Sequence, residues 1–411
     1  MVRIKQIQYI LFFLGLGLSF NSAHAQFRKY SNEFLNIGAG ARGLGMGSAQ
    51  AASVSDGTAG YWNPAALTKV NQFTQINLMH SEYFAGIGKY DFANVSIPTN
   101  NEKRVIGLTA LRFAVDDIAN TLFLVNPDGS LNYNNIKTFS SADYAFLVSY
   151  AQMLKKNEHS AVSFGTNAKV IYRNVGKFAQ AWGFGLDAGL HIQKNKWQFG
   201  IVAKDITSTF NTWTFNFTDK EKEVLYLTNN EIPVKSSELT SPRLTIGVSK
   251  QFNLSKSSSI LAESDFDITF DGKRNTVLSS DPVSVDPKLG LEYGYKNIFF
   301  VRGGINNFQK GLADGDTLNL KKVWIYQPSV GVGFRIKSVM IDYAFANLAN
   351  QSNPLFTGHD VFVQNMQTVK SYIHKGTGRV CPYIKVFRNK IIKLILFRLM
   401  TIAFWVHLQE S

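Results

Sequence analysis

A single cysteine, Cys381, in 411 residues excludes an intramolecular disulfide and a cysteine-built zinc cluster. Histidine is sparse and scattered: His24, His80, His159, His191, His359, His374 and His407 show none of the H-E-x-x-H-type spacings that set two metal ligands on one helix face. No G-x-S-x-G surrounds a serine that would serve as nucleophile. Gly43-Leu-Gly-Met-Gly47 has no leading strand and does not complete G-x-G-x-x-G, so it is not a phosphate-cradling loop. These absences predict a non-enzyme with no catalytic residue, no metal and no cofactor. Charged residues are also few, at 18% against the ~25% of ordinary soluble chains. Long apolar runs are missing as well. The best one outside the leader, Ile391–Val406, is broken by Lys393 and Arg398. It falls short of the ~20 residues a spanning helix needs, and its two charges would be costly at mid-bilayer. A membrane protein without spanning helices has one solution left, a closed β-barrel.

What is present is aromatic. Aromatics reach 13%, with 32 Phe, far from the charged, weakly hydrophobic composition that stays disordered. The formal charge of +14 is mostly an end effect: residues 1–25 carry +2 and residues 359–411 carry +6, leaving +6 over 26–358 without a basic stripe. Aromatic and basic residues do not interleave as single-stranded nucleic-acid binders require, so no nucleic-acid partner is expected. The amino terminus reads as a secretory signal peptide: Arg3 and Lys5, the apolar stretch Ile10–Phe20, then Ala23-His24-Ala25 as the cleavage site. Cleavage near Ala25 exposes Gln26 rather than a lipid-bearing cysteine.

Residues 73–346 alternate with period 2. In Ala161–Arg173, one face is Val162, Phe164, Thr166, Ala168, Val170 and Tyr172, while Ser163, Gly165, Asn167 and Lys169 belong to the other. Gly183–Gln193, Pro328–Lys337 and Val339–Ala346 repeat the pattern, each with one greasy face and one polar or tiny face. The pattern predicts strands near 73–84, 89–97, 104–116, 142–153, 160–173, 183–193, 197–205, 242–252, 259–270, 287–295, 298–304, 328–337 and 338–346. Most exceed the ~5–6 residues usual in soluble sheets and match the ~9–11 that cross a bilayer on a tilt. Tyr150, Tyr172, Trp197 and Tyr295 lie near strand ends, as an interfacial girdle would. A closed antiparallel bacterial barrel takes an even strand number, so a fourteenth is expected just after 350. A soluble β-sandwich would show similar alternation, but strand length, low charge and the Gly-rich polar face favour the barrel. The fold class is all-β: a transmembrane antiparallel β-barrel of about 14 strands with an N-terminal lumenal plug. The organisation reads as a signal peptide over 1–25, a plug over 26–70, a barrel over 71–358 and a basic tail over 359–411. Residues 207–240 read as one long polar extracellular loop. Glu263, Asp265 and Asp267 share a strand face as solvated lumenal charge, and His191 reads as a lumenal hydrogen-bonding group.

Three linked blocks carry a resemblance: Tyr30-Ser-Asn-Glu-Phe-Leu-Asn-Ile-Gly38, Gly40-Ala-Arg-Gly-Leu-Gly-Met-Gly47 and Asp56-Gly-Thr-Ala-Gly-Tyr-Trp-Asn-Pro-Ala65. They resemble the amino-terminal signature of the PorV/PorQ family, similar in fold to the FadL-type fatty-acid channels with their fourteen-stranded barrels and amino-terminal hatch. The resemblance spans about residues 27–357 and is strongest over 30–67. It implies the outer membrane of a Gram-negative bacterium, contact with outer-membrane lipid, and a part in type IX secretion. The implied partners are the translocon and cargo proteins with carboxy-terminal sorting domains, which such a barrel would bind and hand on. Asn63, Pro64 and Ala65 match the family's hatch triplet; Arg42 is a lone cation among small residues such as Gly45 and Gly47, placed to pair with lumenal acids.

The alternative function is a FadL-type passive transporter of hydrophobic small molecules, releasing ligand sideways through a kinked or bulged strand, for which the Gly-rich 183–189 is a candidate. A purely structural barrel or adhesin is the third. The chain departs from the family after Gly358: Val361-Phe-Val363 is followed by basic, non-alternating sequence rather than a terminal aromatic strand. That tail reads as an out-of-frame or read-through extension, or, on the rival reading, as a real basic tail facing the periplasm. It can also supply the last strand at its start.

Overall fold

The computed structural model describes residues 26–27, 31–83, 86–99, 103–126, 128–312, 322–346 and 362–368. The signal peptide, the Asp314-Gly315 turn, Cys381, Ile391–Val406 and the tail beyond 368 lie outside the described residues.

Fourteen long strands build the wall: β1 Thr74–Tyr83, β2 Gly88–Pro98, β3 Arg104–Asn120, β4 Lys137–Lys156, β5 Ser160–Val175, β6 Ala179–Lys194, β7 Trp197–Lys204, β8 Arg243–Asn253, β9 Ser258–Thr269, β10 Ser284–Tyr295, β11 Phe299–Leu312, β12 Lys322–Ile336, β13 Val339–Ala346 and β14 Phe362–Thr368. Each pairs antiparallel with the next, and β14 pairs with β1 from Phe362↔His80 to Thr368↔Thr74, so the pairings run in a circuit. The fourteenth strand, expected just after 350, therefore lies past the 358 boundary drawn from sequence. Several strands are longer than the alternation indicated, β4 and β11 most of all. Among the described residues, no helix is long and apolar enough to cross a membrane.

The two faces of this wall decide its solvent. On β5, Ser163, Asn167 and Lys169 point inward and are buried, while Phe164 and Val170 are exposed. On β9 the buried side chains are Glu263, Asp265 and Asp267, and Phe266 is exposed; on β12 the exposed row is Val330, Val332, Phe334 and Ile336. Soluble domains bury the apolar row and leave charges out. Here an apolar row is exposed on the outside of these strands while polar and charged side chains are buried inside, the arrangement a lipid-facing wall demands. Trp197, Tyr295 and Trp324 sit outside near strand ends, with Lys250 lying 4.4 Å over the Trp197 ring and Lys310 4.9 Å over Trp324, a pairing suited to a lipid–water boundary.

The connections are sorted by end. Those at 99–103, 157–159, 195–196, 254–257, 296–298 and 337–338 are short; the opposite end carries 121–136, 205–242 and 270–283. We call these the turn end and the loop end. Residues 207–240 are not a plain loop, as the sequence suggested. They form the strand Phe210–Phe215, the helix α3 Asp219–Leu227 and the strand Ser236–Leu239, and the two strands continue the wall beyond β7 and β8. Both are too short for a period to show in the sequence. A capping box starts α3: Thr218 accepts from Glu221 N, and the Glu221 side chain reaches back to Thr218 N.

Residues 31–70 fold inside the circuit. Their regular pieces are a 3-10 turn Glu33–Asn36, α1 Ala41–Gly45, α2 Ala59–Trp62 and a 3-10 helix Pro64–Lys69. Phe34, Leu44, Tyr61, Trp62 and Leu67 pack against inward apolar side chains of β1–β5, including Met79, Tyr90, Phe92, Leu111 and Ile171. The inner wall is thus divided, apolar along β1–β5 and ionic along β9–β13.

Leu291, on the outer face of β10, is 56% exposed. Replacing it by arginine should cost about 2–4 kcal/mol if it faces mid-bilayer lipid, against about 0.5 kcal/mol or less on a soluble surface. Chemical unfolding from lipid bilayers reads the difference, and the smaller value would remove the membrane assignment of this face.

Candidate functional site

The plug is seated partly by backbone contact, and at several of these points the wall supplies glycine. A Cβ on Gly304 would stand 2.1 Å from Gly47 N, and one on Gly165 would stand 2.3 Å from Ala65 N. Gly189 lies under Asn63 and Pro64, and Gly331 under Gly45. Gly47 also donates its N–H to Ser329 Oγ at 2.9 Å, with φ at 62°, a conformation glycine adopts without strain. The motif residues are therefore not gathered into one pocket. Gly45 and Gly47 rest on β11–β13, whereas Asn63, Pro64 and Ala65 rest on β5 and β6.

Asn63 uses all of its amide. Its Oδ1 accepts from Ala65 N at 3.1 Å, capping the 3-10 helix that Pro64 opens, and its Nδ2 donates to Ala51 O at 2.8 Å and to Leu190 O at 3.2 Å. Asn-Pro-Ala thus fixes the local turn, an earlier stretch of plug and a wall strand at once.

The carboxylates of β9 are not solvated. Glu263 and Asp265 are buried and act as a clamp: Asp265 Oδ2 accepts from Gln50 N and Ala51 N, both at 2.8 Å, and Glu263 Oε1 accepts from Ala52 N at 2.8 Å and Ser53 N at 3.1 Å. Four consecutive plug amides that make no helix are satisfied this way. Asp267, also buried, pairs with Lys288 at 2.6 Å. Sequence places these acids on one face but cannot say that a backbone lies across from them. His191 Nε2 donates to Ala52 O at 2.9 Å, on the same stretch.

Arg42 anchors the other side. Its Nε and Nη2 meet the two Glu292 oxygens at 2.9 and 3.1 Å, and Nη1 donates to Gln50 Oε1 at 2.6 Å. Burial works against the guanidinium charge, but the adjacent Glu292 carboxylate outweighs it and holds Arg42 protonated beyond its ordinary range. Glu292 also takes Arg302 at 2.6 Å, and Arg302 reaches Asp342 at 2.6 Å, so the chain of charge runs from plug to β13. Lys69 differs: its Nζ donates to Ala52 O, Val54 O and Gln198 Oε1, all neutral. Burial pulls its pKa down to about 7, against the opposing pull of Glu263.

The wall itself is interrupted at one place. β7 pairs with β6 as far as Ala203↔Ala188, and pairing resumes only at Phe210↔Phe184. Gly185, Leu186 and Asp187 of β6 therefore face residues 205–209, where Asp205 and Ser208 take positive φ. One backbone bond crosses the gap, Ile206 N to Leu186 O at 2.9 Å. Buried Lys169 bridges it ionically, 2.7 Å from Asp187 and 2.6 Å from Asp205. A small pocket open to solvent, which Asp205 shares with the gap, is lined by Asn32, Thr240, Pro242 and Arg243. The sequence pointed to 183–189 through its glycines but gave no sign of Lys169, Asp187 or Asp205 as partners, since their pairing crosses strands.

Two outcomes follow for the plug. Gly165→Leu should push Ala65 off its seat, an overpacking cost of about 1–3 kcal/mol, so that residues 31–70 become cleavable by added protease while the unheated protein keeps the fast gel mobility of a folded barrel. Lys69 sheds its proton in the seated state from about pH 7 upward, whereas the released state keeps it to near 10.5. Seating should therefore be weakest at and below about pH 7 and strengthen as pH rises through that window. Hydrogen exchange of the plug amides measures this, and Lys69→Met should flatten the dependence.

No family model matches the chain, and no curated protein matches it. Among solved structures it is similar to the toluene transporter TbuX of Ralstonia pickettii, at 15% identity over 80% of this chain and 98% of that one, with a TM-score of 0.47. It is similar to the toluene transporter TodX of Pseudomonas putida, at 12% identity over 80% and 96% with a TM-score of 0.48. A Pseudomonas aeruginosa FadL homologue gives 11% identity over 80% and 95% with a TM-score of 0.41. At these values the likeness reaches no individual site residue.

Proposed function

We propose that this chain is an outer-membrane barrel that passes hydrophobic small molecules from its loop end into the lumen and sideways into the bilayer. The observation that carries this reading is the interrupted wall between β6 and β7. A plug seated on glycines and held by buried carboxylates leaves no straight path along the axis. The gap opposite Gly185–Asp187 is the point where the wall has one backbone bond instead of a ladder. A solute leaving there enters hydrocarbon, which selects for apolar molecules.

The test fastens the gap. In a Cys381→Ser background, Leu186→Cys with Ile206→Cys should form a disulfide. Uptake of radiolabelled toluene into proteoliposomes should fall several-fold when it is oxidised and recover on reduction. Unchanged uptake in the oxidised protein would remove the lateral route.

A second reading is favoured by a different observation. The extension beyond β7 and β8 carries Tyr226, Leu227 and Val234 at 71–75% exposure on and after α3. Such a projecting apolar set suits protein docking, as type IX secretion would require: the translocon or cargo with carboxy-terminal sorting domains, bound and handed on. Deleting 216–235 separates the two readings. Transport should survive the deletion, whereas a secretion component would lose capture of its partners.

A further inference from the structure

We propose that the turn end is a basic collar that binds the headgroups of anionic phospholipids around the barrel. The sequence shows no basic stripe, because these bases arrive singly or in pairs, tens of residues apart. The antiparallel wall then brings every second connection to one end, and there they meet. Arg104, Lys156, Lys196, Lys256, Lys296 and Lys337 come one from each of the six short connections or the strand ends beside them, and all six are exposed. Most of these connections carry a second base, such as Lys155 or Lys194. The acids in the same stretches are Glu102, which lies outside the described residues, and Glu158, which meets His159 at 4.0 Å. Among the described residues, none of the six bases has an ion-pair partner.

The loop end is charged differently, because acids and bases mix there. Lys89 meets Asp116 at 2.8 Å, Lys177 meets Glu221 at 2.9 Å and Arg274 meets Asp271 at 2.6 Å. Positive charge without matching acids is a property of the turn end.

Two observations direct these bases at lipid headgroups. The first is their height on the wall. Side chains alternate faces along a strand, so Arg104 continues the outer row of Ile106 and Leu108, and Lys194 that of Leu190. Lys250 lies 4.4 Å over the Trp197 ring and 5.0 Å over Phe252, and Lys296 lies 5.4 Å over Tyr295. Those rings are exposed on the outer face. Outward aromatics near strand ends mark the boundary where hydrocarbon gives way to headgroups, so a cation resting on one holds its charge at phosphate level. The second observation is the spread of the bases over all six connections. A protein partner would dock on one sector, whereas lipid surrounds the wall on every side. The collar rests on the lipid-facing wall and not on what passes through it.

Trp197 reports on this end. Trp182 reports on the loop end, where Arg173 pairs with Asp143 and Lys177 with Glu221. Two full-chain variants isolate them. Trp182→Phe, Trp324→Phe and Trp405→Phe together leave Trp197 facing lipid, and Trp197→Phe, Trp324→Phe and Trp405→Phe leave Trp182; Trp62 and Trp213 are buried inside the wall. In mixed vesicles of phosphatidylcholine and phosphatidylglycerol, with bromine on the chains of one lipid or the other, quenching gives the lipid preference at each indole. Trp197 should favour phosphatidylglycerol by about fivefold, the scale of one lysine at an anionic surface, and lose that preference in about 1 M salt. Trp182 should show little preference. Lys194→Gln with Lys196→Gln and Lys256→Gln, exposed changes that should leave folded gel mobility intact, should bring Trp197 to the level of Trp182. An undiminished preference in that triple variant, or the same preference at both reporters, would overturn the collar. Equal quenching by the two lipids at Trp197 in the unneutralised protein would overturn it too, and would leave an acidic protein on the aqueous side as the partner these bases fit.

Discussion

A backbone amide surrounded by hydrocarbon can send its hydrogen bond only to another backbone group. A sheet in that solvent cannot tolerate a free edge, and the circuit from β1 through β14 and back is the consequence. Everything else about the molecule follows from what that circuit encloses. Once the outer row must be apolar, the inner row inherits the chain's polar residues, and a lumen lined by Glu263, Asp265, Glu292, Arg302 and Asp342 needs either water or partners.

The plug is that set of partners, and it answers two different needs. Its irregular stretch from Gln50 to Ser53 has amides with no helix or strand to satisfy them, and among the described residues Glu263 and Asp265 of β9 form no ion pair, unlike Asp267. Each solves the other's problem. Arg42 does the same for Glu292, which would otherwise share one arginine with Asp342. Burying charges is costly unless the geometry is nearly complete, so the ionic half of the lumen specifies a position for the plug more than it stabilises the fold. The apolar half, against Tyr90, Phe92 and Leu111, supplies the burial. One face fixes where the plug sits; the other makes sitting there favourable.

The wall was legible in the sequence because its signal is periodic. Val162 to Tyr172 or Val339 to Phe345 can be sorted into faces by counting, and the inverted burial confirms which face meets solvent. The segments that were not legible are those whose meaning depends on distant residues. Phe210–Phe215 and Ser236–Leu239 are too short to show a period and exist as strands only because β6 and each other lie alongside. Glu263 and Asp265 read as solvated because alternation reports a face and not what is packed against it. Glycines such as Gly165 and Gly304 could be seen as a tiny inner row, yet each is explained by a backbone atom of the plug a hundred or more residues away in sequence. Asn63 was legible as a turn residue; its grip on Leu190 O was not.

The direction in which the plug runs has a consequence for assembly. Residues 26–27 pair in parallel with Glu238 and Leu239 at the loop end, while Val70 leads into β1 at the turn end, so the segment spans the lumen lengthwise before the wall begins. Glycine seats that leave no room for a Cβ also leave no clearance for folded helices to slide past them. A wall zipped shut first would have to draw this segment through as a bare thread. Closing the β14–β1 seam last, around a segment already lying in its groove, requires no threading, and it makes the joining of the wall's two ends the step that commits the plug to its place.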